Sequence, residues 1–206
     1  MEDKYTSISA PSEGLYKDRG SRFLGYAYPV SSEDEVLPLL KALAAEHHGA
    51  RHVCYAYRLA SFGSEPGKWR ANDDGEPSGT AGRQILGQID SEGLSNVLVA
   101  VVRYFGGVLL GVPGLIKAYR TAAAEALAAA RKVELTATAV RTLVFGYAQM
   151  PAVEKILKKY GLRASNRVFG EECSLDAEIP LGKMEELAEQ LEKIAIFKDN
   201  LTTHTN

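Results

Sequence analysis

The first part of the chain alternates between runs with the period of a strand and runs with the period of a helix. Residues 22–30 and 52–59 alternate large apolar side chains with smaller or polar ones, which predicts half-buried strands. Between them, apolar positions over 36–43 recur at helical spacing, and Gly49 is a typical helix stop. The residues before Arg22 form a polar lead-in.

The same pattern continues to about residue 132. Residues 61–82 are rich in Gly, Pro, Ser and Asp and predict a long loop, a feature that in compact domains is usually functional or disordered. A short helix is expected at 82–91. Residues 97–105 form a continuous run of strand-forming apolar side chains, which predicts a strand buried on both faces. The alanine-rich residues 115–132 predict a long helix that approaches the sheet closely.

The pattern restarts near residue 138 and defines a second domain. Strands are predicted at 140–147, 162–169 and 173–179, helices at 151–160 and 181–194, and a weak strand from Ile196. This order of strands and helices is that of a ferredoxin-like split βαβ domain. We therefore predict an α+β protein with two domains, residues 1–137 and 138–206.

Composition indicates a protein of a reducing compartment. No apolar run approaches the roughly 20 residues that span a bilayer, and the amino terminus lacks the apolar core of a signal peptide. Cys54 and Cys173 are the only cysteines and fall in different predicted domains, so no disulfide framework is expected. We expect a cytoplasmic protein without a membrane partner.

Charge is unevenly distributed along the chain. The formal net charge of -2 gives no signature of a nucleic-acid binder. Between residues 103 and 132, however, Glu125 is the one acidic side chain among five basic ones. The basic side chains are Arg103, Lys117, Arg120, Arg131 and Lys132. This local excess predicts a basic patch.

An acidic motif, NDDGEPSGTAG, occupies residues 72–82. Asp73, Asp74 and Glu76 carry the oxygen ligands that calcium and magnesium require, but their spacing does not match an EF-hand loop. We favour a tight turn in which these carboxylates accept backbone amides and shape the loop, and direct contact with a partner stays open. No metal or other cofactor is predicted.

A second motif, residues 101–120, ends a buried strand with Arg103 and continues through Gly106 and Gly107 into a helix. Glycines before a helix let backbone amides approach an anion, and the helix amino terminus adds partial positive charge. The alternative is that the glycines serve turn geometry and packing. We expect Arg103 and Lys117 to converge beside this turn. Of Tyr104 and Phe105, one is expected in the core and the other exposed for base stacking.

The full predicted set for RNA or anion binding combines this motif with an arginine of the first strand. Its members are Arg22, Arg103, Gly106, Gly107, Lys117 and Arg120. A third cluster contains His47, His48, His52 and Cys54. His52 and Cys54 share one face of a strand, yet nothing supplies a full zinc ligand set or the third member of a catalytic triad. A buried polar pair is the favoured interpretation, and no catalytic residue is assigned.

At these motifs the sequence resembles the IMPACT family, including its bacterial YigZ-type members. The matching stretches are GSRF at 20–23, ARHVCYAY at 50–57, NDDGEPSGTAG at 72–82, VVRYFGGVLLG at 101–111 and GLIKAY at 114–119. The resemblance implies a first domain with the βαβ fold shared by a ribosomal small-subunit protein and elongation factor G domain IV. It implies a ferredoxin-like second domain similar to one in elongation factor G. It also implies translation regulation, since eukaryotic relatives interfere with activation of a starvation-sensing kinase.

Three hypotheses for function follow. The first is a non-enzymatic translation-associated regulator that binds RNA or a ribosome-associated protein through the basic glycine-rich groove. The second is an enzyme that acts on a phosphorylated or nucleotide substrate in the same groove. The third is a protein-interaction adaptor, which would keep its partner after the basic residues are neutralised. The oligomeric state is not determined by the sequence.

Overall fold

The computed structural model describes the backbone of residues 3–61 and 67–202, and side chains as far as residue 196. The chain divides into two compact units, one of Tyr5–Leu135 and one that combines Met1–Lys4 with Thr136–Asn206. The predicted α+β class with two domains is confirmed. That residues 1–137 fold alone stays a prediction.

The first unit is built on a five-stranded sheet. Its elements are β1 (Lys4–Ile8), β2 (Ser12–Asp18), β3 (Ser21–Pro29), α1 (Glu33–Glu46), β4 (His52–Arg58), β5 (Trp69–Asn72), α2 (Gly82–Ser91), β6 (Val97–Tyr104), α3 (Gly111–Ala129) and β7 (Lys132–Thr136). The sheet has the order β2-β3-β6-β4-β5, and β6 runs antiparallel to both of its neighbours. Strands β1 and β7 pair with each other in a separate two-stranded sheet.

Helices cover the two faces of this sheet. Val97, Val99 and Val101 of β6 belong to the core that contains α2 and α3, and we call this side the α3 face. The alternate residues Ala100 and Val102 pack with α1, on the side we call the α1 face. All residues of β6 except Tyr104 are buried, as the continuous apolar run predicted. The alternation decides which face each later side chain reaches.

Two regions of the first unit differ from expectation. The polar lead-in contains β1 and β2, and the predicted loop contains β5, while residues 62–66 of that loop lie outside the described residues. Strands β2 and β5 are the two edges of the sheet. An edge strand that is exposed on one side carries few apolar residues, so it gives a weak sequence pattern and depends on pairing with its neighbour.

The second unit has the predicted order of elements. They are β8 (Thr138–Gly146), α4 (Met150–Tyr160), β9 (Arg163–Val168), β10 (Glu172–Pro180), α5 (Met184–Leu191) and β11 (Ile196–Thr202). The sheet order is β11-β8-β10-β9 with every pair antiparallel, which is the split βαβ arrangement. The last helix is shorter than predicted at both ends, because Leu181–Lys183 form a 3-10 turn and the helix ends at Leu191 instead of Ile194. None of the helices in the described part of the chain has the length and apolar character needed to cross a bilayer.

Candidate functional site

The acidic motif is held in place by its own carboxylates. Asp73 Oδ1 accepts the backbone N–H groups of Ala81 at 3.0 Å and Gly82 at 2.8 Å, and its Oδ2 accepts that of Gly79 at 2.9 Å. Because α2 begins at Gly82, this carboxylate satisfies free amides at the helix amino terminus, where partial positive charge favours an anion. Asp74 Oδ2 accepts the N–H of Val53 at 2.7 Å. The two aspartates therefore tie the loop to α2 and β4.

Replacing Asp73 by Ala is expected to lower the free energy of unfolding by about 1–3 kcal/mol, because three amides lose their acceptor. Urea unfolding followed by circular dichroism measures the change. The matched control is Asp90→Ala, which removes a half-exposed partner of Arg58 and should cost at most about 1 kcal/mol. Equal midpoints for the two variants would show that Asp73 does not stabilise the loop.

Glu76 lies at the centre of a buried polar network. Its Oε1 accepts hydrogen bonds from Arg103 Nη1 at 2.5 Å and from the Tyr119 hydroxyl at 2.8 Å, and His52 Nε2 is 3.8 Å away. The Glu76 and Arg103 side chains are 4% and 7% exposed. The network joins the acidic loop, β4, β6 and α3. A buried ion pair of this kind is costly to break, because either charge left alone would be desolvated.

Arg103 is an interior residue, which corrects the expectation that it belongs to an exposed patch. The alternation of β6 places it on the α3 face, opposite His52 in the register with β4 and opposite Phe23 in the register with β3. Its guanidinium carbon is 5.5 Å from the centroid of Phe23 and 5.7 Å from that of Phe105. Its Nε is buried and finds no hydrogen-bond acceptor within the described residues. Arg103 therefore stabilises the site as a buried residue, and its charge is not accessible to a binding partner.

Cys54 is a structural thiol. It is fully buried, and its Sγ lies 3.0 Å from the Asp73 carbonyl oxygen and 3.4 Å from the Tyr119 hydroxyl. Burial raises the pKa of the Cys54 thiol well above its ordinary value, and the nearby carboxylates of Glu76, Asp74 and Asp73 raise it further. A thiol that stays protonated is a poor nucleophile and a poor metal ligand.

The histidines near Cys54 do not assemble around it. His52 Nδ1 is 2.6 Å from the Asp74 carbonyl oxygen. His47 lies between the hydroxyl groups of Tyr26 and Tyr104, at 2.8 and 2.9 Å. His48 is exposed. Over residues 3–61 and 67–196, no group of three or more potential ligands is arranged to hold a metal ion. Cys54 is buried and His52 half-buried, and both contact the acidic loop, which supports the interpretation of these two residues as a polar pair.

Gly106 and Gly107 have different structural roles. A Cβ on Gly106 would lie 1.9 Å from the carbonyl carbon of Gly20 and 2.1 Å from the nitrogen of Ser21, so the two backbones touch here. The Gly106 amide also donates to Ser21 Oγ at 3.1 Å. Gly107 has open space around it but a φ of +85°, which favours glycine. Of the two interpretations of this turn, the geometry supports packing and turn conformation.

Residues 105–112, which we call the apolar turn, present large apolar side chains to solvent. Leu109 is 80% exposed, and Phe105, Val108 and Val112 are each about half exposed. The prediction that one of the two rings is in the core and the other exposed is correct only in part. Phe105 is exposed, but Tyr104 is half-buried and not in the core. The exposure of the aliphatic members was not predicted from the sequence. The available signal was the short run of Val and Leu between glycines, which fits neither a strand nor a helix.

The basic side chains predicted to form one groove lie in three places. Arg22 pairs with Tyr104 in the register of β3 with β6, so it points to the α1 face, away from Arg103. Lys117 and Arg120 are exposed on α3, and Arg120 Nη2 donates to Gln84 Oε1 at 2.9 Å. A single groove that contains all four basic residues is therefore not present.

Comparison with known proteins gives consistent matches. Residues 19–127 match the family model described as the Impact N-terminal domain. The chain is 30% identical over 183 residues to the IMPACT family member YigZ of Escherichia coli K12, which covers 89% of each chain. A solved structure described as a hypothetical protein is 28% identical, covers 96% of this chain and 97% of its own, and superposes with a TM-score of 0.71. A structure of Yih1, described as a two-domain translational regulator, is 31% identical, covers 61% of this chain and 47% of its own, and has a TM-score of 0.39.

Proposed function

Because this chain belongs to the IMPACT family, we propose that it is a non-enzymatic, translation-associated protein that binds a protein of the translation machinery through the apolar turn. The link to translation is what the family resemblance implies. The exposure of the apolar turn is the observation that carries the binding proposal. Of the two partner classes left open by the sequence, a ribosome-associated protein suits this surface better than RNA.

The polar groups beside the turn support a scaffold more than a reaction centre. Asp73 already accepts three backbone amides, and the Glu76 carboxylate already holds Arg103 and Tyr119. The Cys54 thiol is buried and protonated. A general base or nucleophile needs a free, accessible group with a suitable pKa. These groups instead fix the position of the strand from which the apolar turn emerges.

The apolar turn has the character of a protein contact. Exposed apolar side chains that lie together, with polar residues around them, mark interaction sites on otherwise polar surfaces. Leu109 and Val108 lack the planar face or hydrogen-bonding groups that would recognise a base, but they can fill an apolar pocket. The close backbone contact of Gly106 with Gly20 and Ser21 fixes one end of the turn, which lowers the conformational entropy lost on binding.

Replacing Leu109 by Ser is expected to weaken co-sedimentation of the purified full chain with purified bacterial ribosomes by about tenfold. The reason is that an aliphatic side chain that becomes buried in the complex is lost. The matched control is Leu37→Ser, which changes another exposed leucine, 57% accessible, on α1. Its binding should equal that of the unmodified chain. The contact should also persist at high salt, since apolar contacts are not screened.

Two results would contradict the proposal. Equal ribosome binding by the Leu109→Ser and Leu37→Ser variants would remove the apolar turn from the interface. Binding by the unmodified chain that disappears as salt is raised would point to phosphate contacts and to RNA as the partner. Thermal unfolding of both variants serves as the folding control, because exposed substitutions should change stability little.

A further inference from the structure

A second surface of the first unit lies on the α1 face at the end of the sheet. The register of β2 with β3 pairs Lys17 with Arg22, and the register of β3 with β6 pairs Arg22 with Tyr104. The three side chains therefore form one row across three strands that are about 4.8 Å apart. We call this set the basic row. Both of its cations are exposed to solvent.

The positive charge of the basic row is not compensated. Within the described part of the chain, Lys17 and Arg22 make no ion pair, and neither do the exposed Arg19 of the β2–β3 turn and Arg51 just before β4. Elsewhere in the unit, Arg58, Lys68 and Lys132 each pair with a carboxylate. Exposed cations left without partners attract an anion of extended shape. On the same face, the basic surface is bounded by Glu13, opposite Tyr26, and by Glu46 of α1, whose Oε1 is 3.9 Å from His47 Nε2.

The aromatic member of the basic row is held in a fixed position. The Tyr104 hydroxyl is 2.9 Å from His47 Nδ1, and His47 Nε2 is 2.8 Å from the Tyr26 hydroxyl. The Arg22 guanidinium carbon lies 4.8 Å from the centroid of the Tyr104 ring. Bases of single-stranded RNA stack on aromatic rings and on guanidinium planes. A guanidinium that already lies over a ring needs little rearrangement to add one stacked base.

We propose that the basic row binds single-stranded RNA. Lys17 and the neighbouring cations contact phosphates, and the Arg22–Tyr104 pair stacks on a base. The complementary charge and the aromatic platform favour this ligand over a protein, although Leu15, two residues from Lys17 on the same face of β2, is half-exposed beside the row. The proposal goes beyond the proposed function, since it concerns another surface and another class of partner.

The test is fluorescence anisotropy of the full chain with a labelled 12-nucleotide single-stranded RNA of mixed sequence, titrated at several salt concentrations. Combining Lys17→Gln with Arg22→Gln is expected to weaken binding by tenfold or more at low salt. It should also reduce the magnitude of the slope of log affinity against log salt by about 0.7 per lost phosphate contact. Arg83→Gln is the matched control, because Arg83 is exposed on α2, on the other side of the sheet.

The stacking role has its own pair of variants. Tyr104→Leu is expected to weaken RNA binding by about tenfold, which corresponds to the loss of one stacked base. Tyr104→Phe keeps the ring and removes only the hydroxyl bonded to His47, so most of the affinity should remain. Leu109→Ser should bind this RNA like the unmodified chain, so failure of this proposal is distinguishable from failure of the proposed protein contact.

The proposal is overturned if the unmodified chain does not bind the RNA, or if the double variant keeps its affinity and salt slope while its melting temperature is unchanged. It is also overturned if a blunt RNA duplex of the same length binds more tightly than the single strand, because stacking on Tyr104 requires an unpaired base. Equal losses for Arg83→Gln and for the double variant would show a general effect of charge and would likewise exclude the basic row.

Discussion

Replacing Glu76 by Ala is expected to lower the free energy of unfolding of the first unit by about 3–5 kcal/mol, the typical cost of removing one partner of a buried ion pair. The Arg103 side chain is 7% exposed and would keep its charge without a carboxylate, and the Tyr119 hydroxyl would lose its acceptor. Urea unfolding of the full chain, followed by circular dichroism, measures the change as a separate or shifted transition of the first unit.

Two further variants show whether the buried pair is responsible. Combining Glu76→Leu with Arg103→Met replaces both charges by apolar groups and should recover most of the lost stability, because no buried charge is left alone. Glu92→Ala breaks the half-exposed pair with Lys132 and should cost at most about 1 kcal/mol. A Glu76→Ala variant no less stable than Glu92→Ala would mean that Arg103 escapes to solvent when its partner is removed.

Replacing Gly106 by Ala is expected to cost about 3 kcal/mol or more, at the upper end of overpacking effects, whereas the same change at Gly107 should cost about 1–2 kcal/mol. The Cβ at Gly106 would meet backbone atoms of Gly20 and Ser21 at 1.9 and 2.1 Å, and backbone cannot rotate away as a side chain can. At Gly107 the space is open, so the cost is that of a left-handed backbone alone. Thermal and urea unfolding of the two variants measure the difference.

The adjacent glycine is the natural control for this comparison. Equal stabilities for Gly106→Ala and Gly107→Ala would show that the contact between the end of β6 and the β2–β3 turn is not tight in solution. A larger loss at Gly107 would show that backbone conformation matters more than packing.

The two glycines also bear on function, because both precede Leu109 in the apolar turn. Gly107→Ala should weaken ribosome binding more than its effect on stability explains.

The buried network and the apolar turn are in contact at the end of β6. Arg103 is held by Glu76, and its guanidinium lies 5.7 Å from the ring of Phe105, the first residue of the turn. The network therefore fixes the place where the chain leaves β6. This explains why ionisable side chains of the kind found in active sites, Glu76 and Arg103, lie beside a surface proposed to bind a partner. Their charges are neutralised inside the protein, and the exposed contact is left to apolar side chains.

The sequence by itself determined the elements whose pattern is local. The apolar run of β6, the alanine-rich α3 and the order of strands and helices in the second unit were predicted because their period appears within a single segment. The family motifs also located the acidic loop and the turn after β6. The alternation along β3 separates Arg22 from Phe23, but its consequence could be seen only once β6 was known to be the neighbouring strand.

The tertiary structure decided which side chains of the site are available to a partner. Arg103 is buried because α3 and the acidic loop cover its face of the sheet, and that coverage depends on contacts between residues far apart in the chain. Leu109 is 80% exposed although it is apolar, and nothing in its local pattern of residues predicts that exposure. The basic row exists only through the pairing of β2 with β3 and of β3 with β6. Periodicity reports how one segment alternates, but exposure depends on what packs against each face.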